Sequence, residues 1–283
     1  MDQHAELPSI EAPINYQTFT GVKPVTETKT PDSKPWRSLA NVNTQIMTVR
    51  DGRPLAGSLS IDREGFEFIT HDTKVRDFYD RDEVERVYYP EVVELFKSRY
   101  GASRVLIFDH TVRNGDEGEQ DRRKVREPVR MTHNDYTDWS GPQRVRDLLP
   151  ADEAESLLKN RLAVIQMWRP INTTVERDPL AICDARSLAP EDLIAADRKY
   201  PDRVGEIYQV SHNPNHVWFY FPKMRRDEAL VFKCYDSKRD GRARFTAHTG
   251  FEDPTSPPNA PPRESIEIRA LVFFPPEPDK ATA

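Results

Sequence analysis

The chain carries only two cysteines in 283 residues, Cys183 and Cys234. Two thiols build neither a disulfide framework nor a cysteine-rich zinc site, so the fold must be held by packing. Long apolar runs are also missing. None approaches the roughly 18 residues of a membrane span. The opening stretch MDQHAELPSIEAP is acidic and has no apolar core, so no secretory signal is expected. Positive charge is not in excess: Lys and Arg total 41 against 47 Asp and Glu, a net charge of −6. Proteins that grip nucleic-acid backbones are usually basic. No tandem repeat of fixed period is present. These absences point to a soluble cytoplasmic protein with reduced thiols, and away from nucleic-acid and membrane partners.

What is present suits a globular chain, with 37% hydrophobic and 31% charged residues over a length that can bury a sizeable core. Pro8, Pro13, Pro24, Pro31 and Pro35 lie among polar residues in the first 40 positions. Residues 1–40 therefore read as an extended arm, draped over the domain or over a neighbouring subunit, which allows a homodimer. Residues 41–283 read as a single domain with helical and strand additions at its start. LSIDREGFEFIT alternates like a strand. RDEVERVYYPEVVELFKSRYG is amphipathic and helical, and Pro90 predicts two short helices or a kink. Gly101 suits its C-cap.

From residue 104 the texture turns to short β-rich runs: SRVLIFDHTVR, EPVRMTH, LAVIQMWRPI, PLAICDA, HVWFYFP, EALVFKCYDS, ARFTAHT and SIEIRALVFF. ADEAESLLKN and APEDLIAADRKY read as helices between them. Eight such strands predict a mainly β protein with flanking helices, a double-stranded β-helix or cupin-like jelly roll. A sandwich of other topology is the alternative.

The candidate chemistry begins at His133-Asn-Asp135, just after the second run. Alternate side chains of a strand share a face, so this pair can reach one metal. The spacing alone is weak: chance gives about one His-x-acid match in a chain of this composition, and His4-Ala-Glu6 is another. A non-haem iron site also needs a second histidine and open positions. His248, in the seventh run, would neighbour the second run in a jelly roll. His216 is the alternative third ligand, with His212 behind it, while His110 suits a local pairing. Arg263 and Ser265 open the eighth run, and an arginine there can bind a carboxylate through two parallel hydrogen bonds.

His-x-Asp, a distal His and a late Arg-x-Ser together resemble the iron(II)- and 2-oxoglutarate-dependent dioxygenases. FDHTVR, HNDYTDWSGP, QMWRPI, DPLAICDARS, HVWFYFPKM, EALVFKCYDS, FTAHTGFEDP and APPRESIEIRALVFF narrow the resemblance to the fungal hydroxylase/desaturase family. That family includes the small component of cephamycin methoxylase and a meroterpenoid endoperoxidase. The resemblance spans residues 104–274. It implies iron(II), 2-oxoglutarate and molecular oxygen as cofactors. It also implies hydroxylation, desaturation, cyclisation or endoperoxidation of a hydrophobic small molecule in secondary metabolism. On this reading His133, Asp135 and His248 hold iron. Arg263 binds the far carboxylate of 2-oxoglutarate, helped by Ser265, with Arg269 as alternative. Gln166 assists the co-substrate, and Tyr136, Trp139 and Trp168 wall the substrate pocket. The competing readings are a non-catalytic cupin-like partner subunit and a zinc hydrolase built on His133, Asp135 and His216.

Overall fold

The β-rich texture folds into two facing sheets. The computed structural model describes residues 6–27, 41–172 and 174–276. Its strands are β1 (Ser9–Gln17), β2 (Val25–Glu27), β3 (Val42–Asp51), β4 (Phe66–Thr70), β5 (Arg104–Asn114), β6 (His133–Asn134) and β7 (Leu162–Pro170). They continue with β8 (Leu180–Cys183), β9 (Leu193–Lys199), β10 (Val204–Val210), β11 (Trp218–Tyr220), β12 (Glu228–Asp236), β13 (His248–Gly250) and β14 (Glu264–Phe273). A nine-stranded sheet runs β1-β3-β11-β8-β13-β6-β10-β9-β2, and a five-stranded sheet runs β4-β12-β7-β14-β5. This is the expected jelly-roll architecture.

Strand parity explains the two-sided burial of the smaller sheet. Ala163, Ile165 and Met167 of β7 and Ile266, Ile268, Ala270 and Val272 of β14 face one way, in a cluster with Val92 and Phe96. The alternate residues, Gln166 and Trp168 of β7 and Ser265, Glu267 and Arg269 of β14, face the other sheet. Every residue of β7 and β12 is buried, as expected of strands covered on both faces.

The helices sit outside this frame. α1 (Arg81–Glu83) runs through a π-helical segment, Val84–Tyr88, into α2 (Tyr89–Tyr100). Pro90 stands at the junction where the π-helical segment passes into α2, and the helical run continues through it. Gly101 caps α2 in the left-handed conformation at φ 68°. α3 (Glu117–Arg123) follows β5, and α4 (Ser140–Leu148) and α5 (Ala151–Leu158) precede β7. Among the described residues no helix is long and apolar enough to cross a membrane.

Three expectations change. Residues 9–17, read as part of a loose arm, form a strand paired with β3 along its whole length, burying Ala12, Ile14 and Tyr16. Val25–Glu27 of the same arm forms β2, paired parallel with β9, and residues 1–5 and 28–40 lie outside the described residues. APEDLIAADRKY is not a helix. Only Pro190–Asp192 makes a 3-10 turn, and β9 follows, paired with β10 along its length. The β-branched and alternating residues of the neighbouring GEIYQV strand supply the partner that overrides local helix preference. EPVRMTH yields strand only at His133, where β10 and β13 both pair with it; upstream, β13 reaches it through a single bond from the Gly250 N–H to the Val129 carbonyl at 2.7 Å. In segment 71–82, Val75 and Phe78 are buried in the α2-side cluster.

Candidate active site

Two short strands bring the metal-type residues together. β6 and β13 pair antiparallel with His133 directly opposite His248, and their rings lie 4.4 Å apart, centroid to centroid. Asp135, two residues beyond His133, points to the same side. One ligand-type atom from each of His133, Asp135 and His248 lies within 4.8 Å of the others. His133 Nε2 stands 3.5 Å from Asp135 Oδ1.

The surrounding hydrogen bonds orient these groups. His133 Nδ1 lies 2.7 Å from the Met131 carbonyl, and His248 Nδ1 lies 3.0 Å from the Thr246 carbonyl. A carbonyl only accepts, so each Nδ1 must carry the proton and each Nε2 keeps its lone pair. His248 Nε2 is buried and has no hydrogen-bond partner. A buried, unpartnered nitrogen is costly unless something outside the protein satisfies it. Two imidazole nitrogens and one carboxylate oxygen on one side of a cavity are the donor set of a 2-His-1-carboxylate iron site. The residues fit an iron(II) ion.

Asp135 is held from the opposite sheet. Gln166 Nε2 donates to Oδ2 at 2.9 Å, and Arg269 Nε donates to the same oxygen at 2.8 Å. Oδ1 is thereby turned toward the histidines. Burial alone would raise the Asp135 carboxyl, but the Arg269 guanidinium outweighs it and holds the acid well below the usual carboxylate range. Arg269 also donates to Asp109 and Thr111 and pairs with Glu267. This arginine, named from sequence as the alternative co-substrate binder, is fully engaged in orienting the carboxylate. Gln166 does the same through Nε2, while its Oε1 is buried without a hydrogen-bond partner.

Arg263 is different. It is 2% exposed, and its guanidinium lies 5.4 Å over the Trp168 ring. Nη1 donates to the Asp178 carbonyl at 2.8 Å, while Nε has no partner. Burial lowers its pKa to about 10. The neighbouring Ser265 hydroxyl is also buried and unpartnered. A cation and a hydroxyl with spare donors, both desolvated, await an anion.

His216 is not part of this group. Its Nε2 lies 3.0 Å from Asp192 Oδ2 and its Nδ1 3.3 Å from the Tyr16 hydroxyl, which also accepts from Trp218 at 2.7 Å. Both ring nitrogens are engaged, which removes it as the alternative third ligand and removes the zinc-hydrolase set with it. His212 packs edge-on to Tyr16, and His110 lies 2.8 Å from the Tyr89 hydroxyl, a local pairing as expected.

A cavity of about 650 Å³ opens onto His133 and Asp135. A smaller one of about 110 Å³ adjoins Asp135 on the side of Tyr136 and Trp139. The aromatic wall read from sequence does not line the larger space. Tyr136 and Trp139 line the smaller one, Trp139 is 51% exposed, and Trp168 is buried beneath Arg263. Arg113, Arg126 and Arg198 line both cavities and were missed in the sequence. No spacing connects them, because β5, β9 and a loop bring them together only in the fold.

Comparison with known proteins agrees with this geometry. A family profile described as an oxidoreductase/YMDC permease-like domain matches residues 14–273. The hydroxylase/desaturase efuI of Hormonema carpetanum is 36% identical over 82% of this chain and 84% of that protein. The Fe(II)/2-oxoglutarate-dependent dioxygenase nvfI of Aspergillus novofumigatus is 32% identical, covering 85% and 88%. The solved structure of the iron and alpha-ketoglutarate-dependent endoperoxidase NvfI superposes with a TM-score of 0.81 at 28% identity, covering 95% of this chain and 99% of that one. The chain belongs to the fungal hydroxylase/desaturase family of iron(II)- and 2-oxoglutarate-dependent dioxygenases. It is an oxidoreductase of secondary-metabolite biosynthesis that uses iron(II), 2-oxoglutarate and molecular oxygen.

Proposed function

We propose that this dioxygenase binds iron(II) through His133 Nε2, His248 Nε2 and Asp135 Oδ1, and 2-oxoglutarate through Arg263 and Ser265. It then oxidises a small organic substrate held in the 650 Å³ cavity. The observation that carries the reading is the unpartnered, buried Nε2 of His248 facing His133 and Asp135. When bound, the metal with its co-substrate supplies an oxidant strong enough to remove hydrogen from unactivated carbon.

The protein's own part is orientation. The Met131 and Thr246 carbonyls fix the histidine tautomers, and Gln166 and Arg269 fix the carboxylate. Arg263 offers a desolvated cation to the far carboxylate of the co-substrate, and Ser265 adds a hydroxyl donor. Hydroxylation, desaturation, cyclisation or peroxide insertion then follows from which substrate bond the cavity holds nearest the metal. A largely hydrophobic natural-product skeleton, a cytoplasmic location and a homodimer complete the reading. The −6 charge and the size of the cavity support a small molecule rather than a polymer.

Purified protein reconstituted anaerobically tests it. One iron per chain and iron-dependent succinate release from 2-oxoglutarate are expected. Arg263→Ala should raise the 2-oxoglutarate requirement at least about tenfold with iron retained, because leaving a desolvated charge unpaired costs about 2–5 kcal/mol. Wild-type protein that binds neither iron nor 2-oxoglutarate would end this reading.

A further inference from the structure

The walls of the larger cavity carry more positive charge than the co-substrate needs. Arg113 points inward from β5, opposite Ser265 of β14. Arg198 comes from β9, and Arg126 from the loop after α3. All three line both cavities together with Asp135. Other cations in the region are neutralised: Lys23 by Asp197 and Glu206, Arg130 by Asp178, Arg269 by Asp135, Asp109 and Glu267. Among the described residues, none of Arg113, Arg126 and Arg198 lies within ion-pair distance of a carboxylate. Arg113 donates to the Glu127 carbonyl at 2.9 Å, and Arg198 stacks near Tyr200 with its guanidinium 5.9 Å from the ring.

Three guanidinium groups lining one cavity with no carboxylate in ion-pair contact repel one another, and the nearby Asp135 and Glu267 are themselves paired with Arg269. That arrangement destabilises the empty site and is relieved by an anion. Burial lowers the pKa of Arg113 to about 9, and the charges of Arg269 and Arg263 push the same way against Glu267. Arg263 is set apart from these three. It lines neither cavity wall and already has its own desolvated place over the Trp168 ring.

We propose that Arg113, Arg126 and Arg198 form a specificity site for an anionic group of the substrate, so that the natural substrate is a carboxylate-bearing small molecule. Guanidinium groups read carboxylates through two parallel hydrogen bonds, and three of them select the acid form over its neutral ester or amide. The proposal rests on the dioxygenase reading only in placing this anion beside the reacting centre.

Benzoate and its neutral counterpart benzamide are suitable probes, titrated by calorimetry against anaerobic protein saturated with iron(II) and 2-oxoglutarate. Under these conditions the metal and Arg263 are already engaged. Benzoate should bind at least tenfold tighter than benzamide, and its affinity should fall as salt rises. The half-buried Arg126 and Arg198 can be changed with little risk to folding. R126Q combined with R198Q should erase the benzoate preference while the 2-oxoglutarate requirement stays unchanged, and Arg198→Lys should keep part of it. Equal binding of the two probes, or no binding of either, overturns the site. A preference that survives the double change does so too. A raised 2-oxoglutarate requirement in the double variant assigns these arginines to the co-substrate and likewise overturns it. If wild-type protein fails to bind iron or 2-oxoglutarate, the dioxygenase reading falls. The acid-over-amide comparison is then read on the metal-free protein and stands or falls separately.

Discussion

Two histidine–aspartate clusters sit about the same barrel and do opposite things. His216 with Asp192, Tyr16 and Trp218 is closed, since each ring nitrogen of His216 has a partner and the Tyr16 hydroxyl links the group to Trp218. The group ties β1 to β11 and to the segment before β9 within the nine-stranded sheet. His133, Asp135 and His248 share that residue chemistry, yet their Nδ1 atoms are turned to carbonyls and His248 Nε2 is left bare. Composition and burial do not separate the two clusters. Where the lone pairs point does, because a metal needs several converging on one place while a clamp needs none left over.

The sharpest way to break the comparison is to delete one histidine from each cluster. His248→Ala should abolish turnover and iron occupancy, with the thermal midpoint of the metal-free protein lowered only modestly. His216→Ala should do the reverse. It keeps iron, measured by metal analysis, but loses about 1–3 kcal/mol of stability in urea unfolding, because Asp192 and the Tyr16 hydroxyl each lose a buried hydrogen-bond partner while Asp192 keeps Asn213 and the Ala189 N–H. If His216→Ala loses iron with unchanged stability, the two clusters have been assigned the wrong way round.

A smaller effect is expected one step out from the metal ligands. Arg269→Gln keeps the three candidate ligands but frees Asp135 Oδ2 from its cation. Iron affinity or turnover should fall about 10- to 100-fold, as for other partners that orient ligands, with 2-oxoglutarate affinity changed less than in Arg263→Ala. A normal iron affinity would mean that Gln166 alone positions the carboxylate.

The smallest effect is one of pH. Burial is the leading cause holding the imidazoles of His71, His110 and His216 below the ordinary 6.5 in the folded protein. Below about 6.5 the unfolded chain takes up protons that the folded one refuses. The stability these neutral rings contribute is therefore complete above that pH and is lost as the pH falls. Urea midpoints should be lower at pH 5.5 than at pH 7.5, and His216→Gln should narrow the gap. A midpoint that rises on acidification would show that Asp192 dominates His216 instead.

Local sequence carried a good deal of this. Seven of the eight β-rich runs become strands of more than two residues, because alternating β-branched and aromatic side chains suit a sheet covered on both faces. His133, Asp135 and His248 were legible because two residues at strand spacing share a face and the run count placed the third beside them. Arg263 and Ser265 were legible as residues, on the strength of a motif. APEDLIAADRKY was misread because its acids and alanines favour a helix locally, while the β10 partner that makes it a strand lies in the next segment. Of the three aromatic residues, Tyr136 and Trp139 line the smaller cavity beside Asp135, while Trp168 lines neither of the two cavities for a related reason. Trp168 is near the ligands in sequence, but strand parity and the opposite sheet bury it under Arg263.

By itself, then, the sequence determined the strand-forming runs, the absence of disulfide or zinc staples, and the residue types of a 2-His-1-carboxylate site. These follow from periodicity and side-chain chemistry, which act over a few residues. Tertiary structure alone decided that His216 is a clamp, that Arg269 serves Asp135 rather than a co-substrate, and that Arg113, Arg126 and Arg198 meet at one cavity. Each of those depends on which atoms are left unpaired once two sheets close on each other. Strands far apart in the chain supply the partners, so no local pattern records the result.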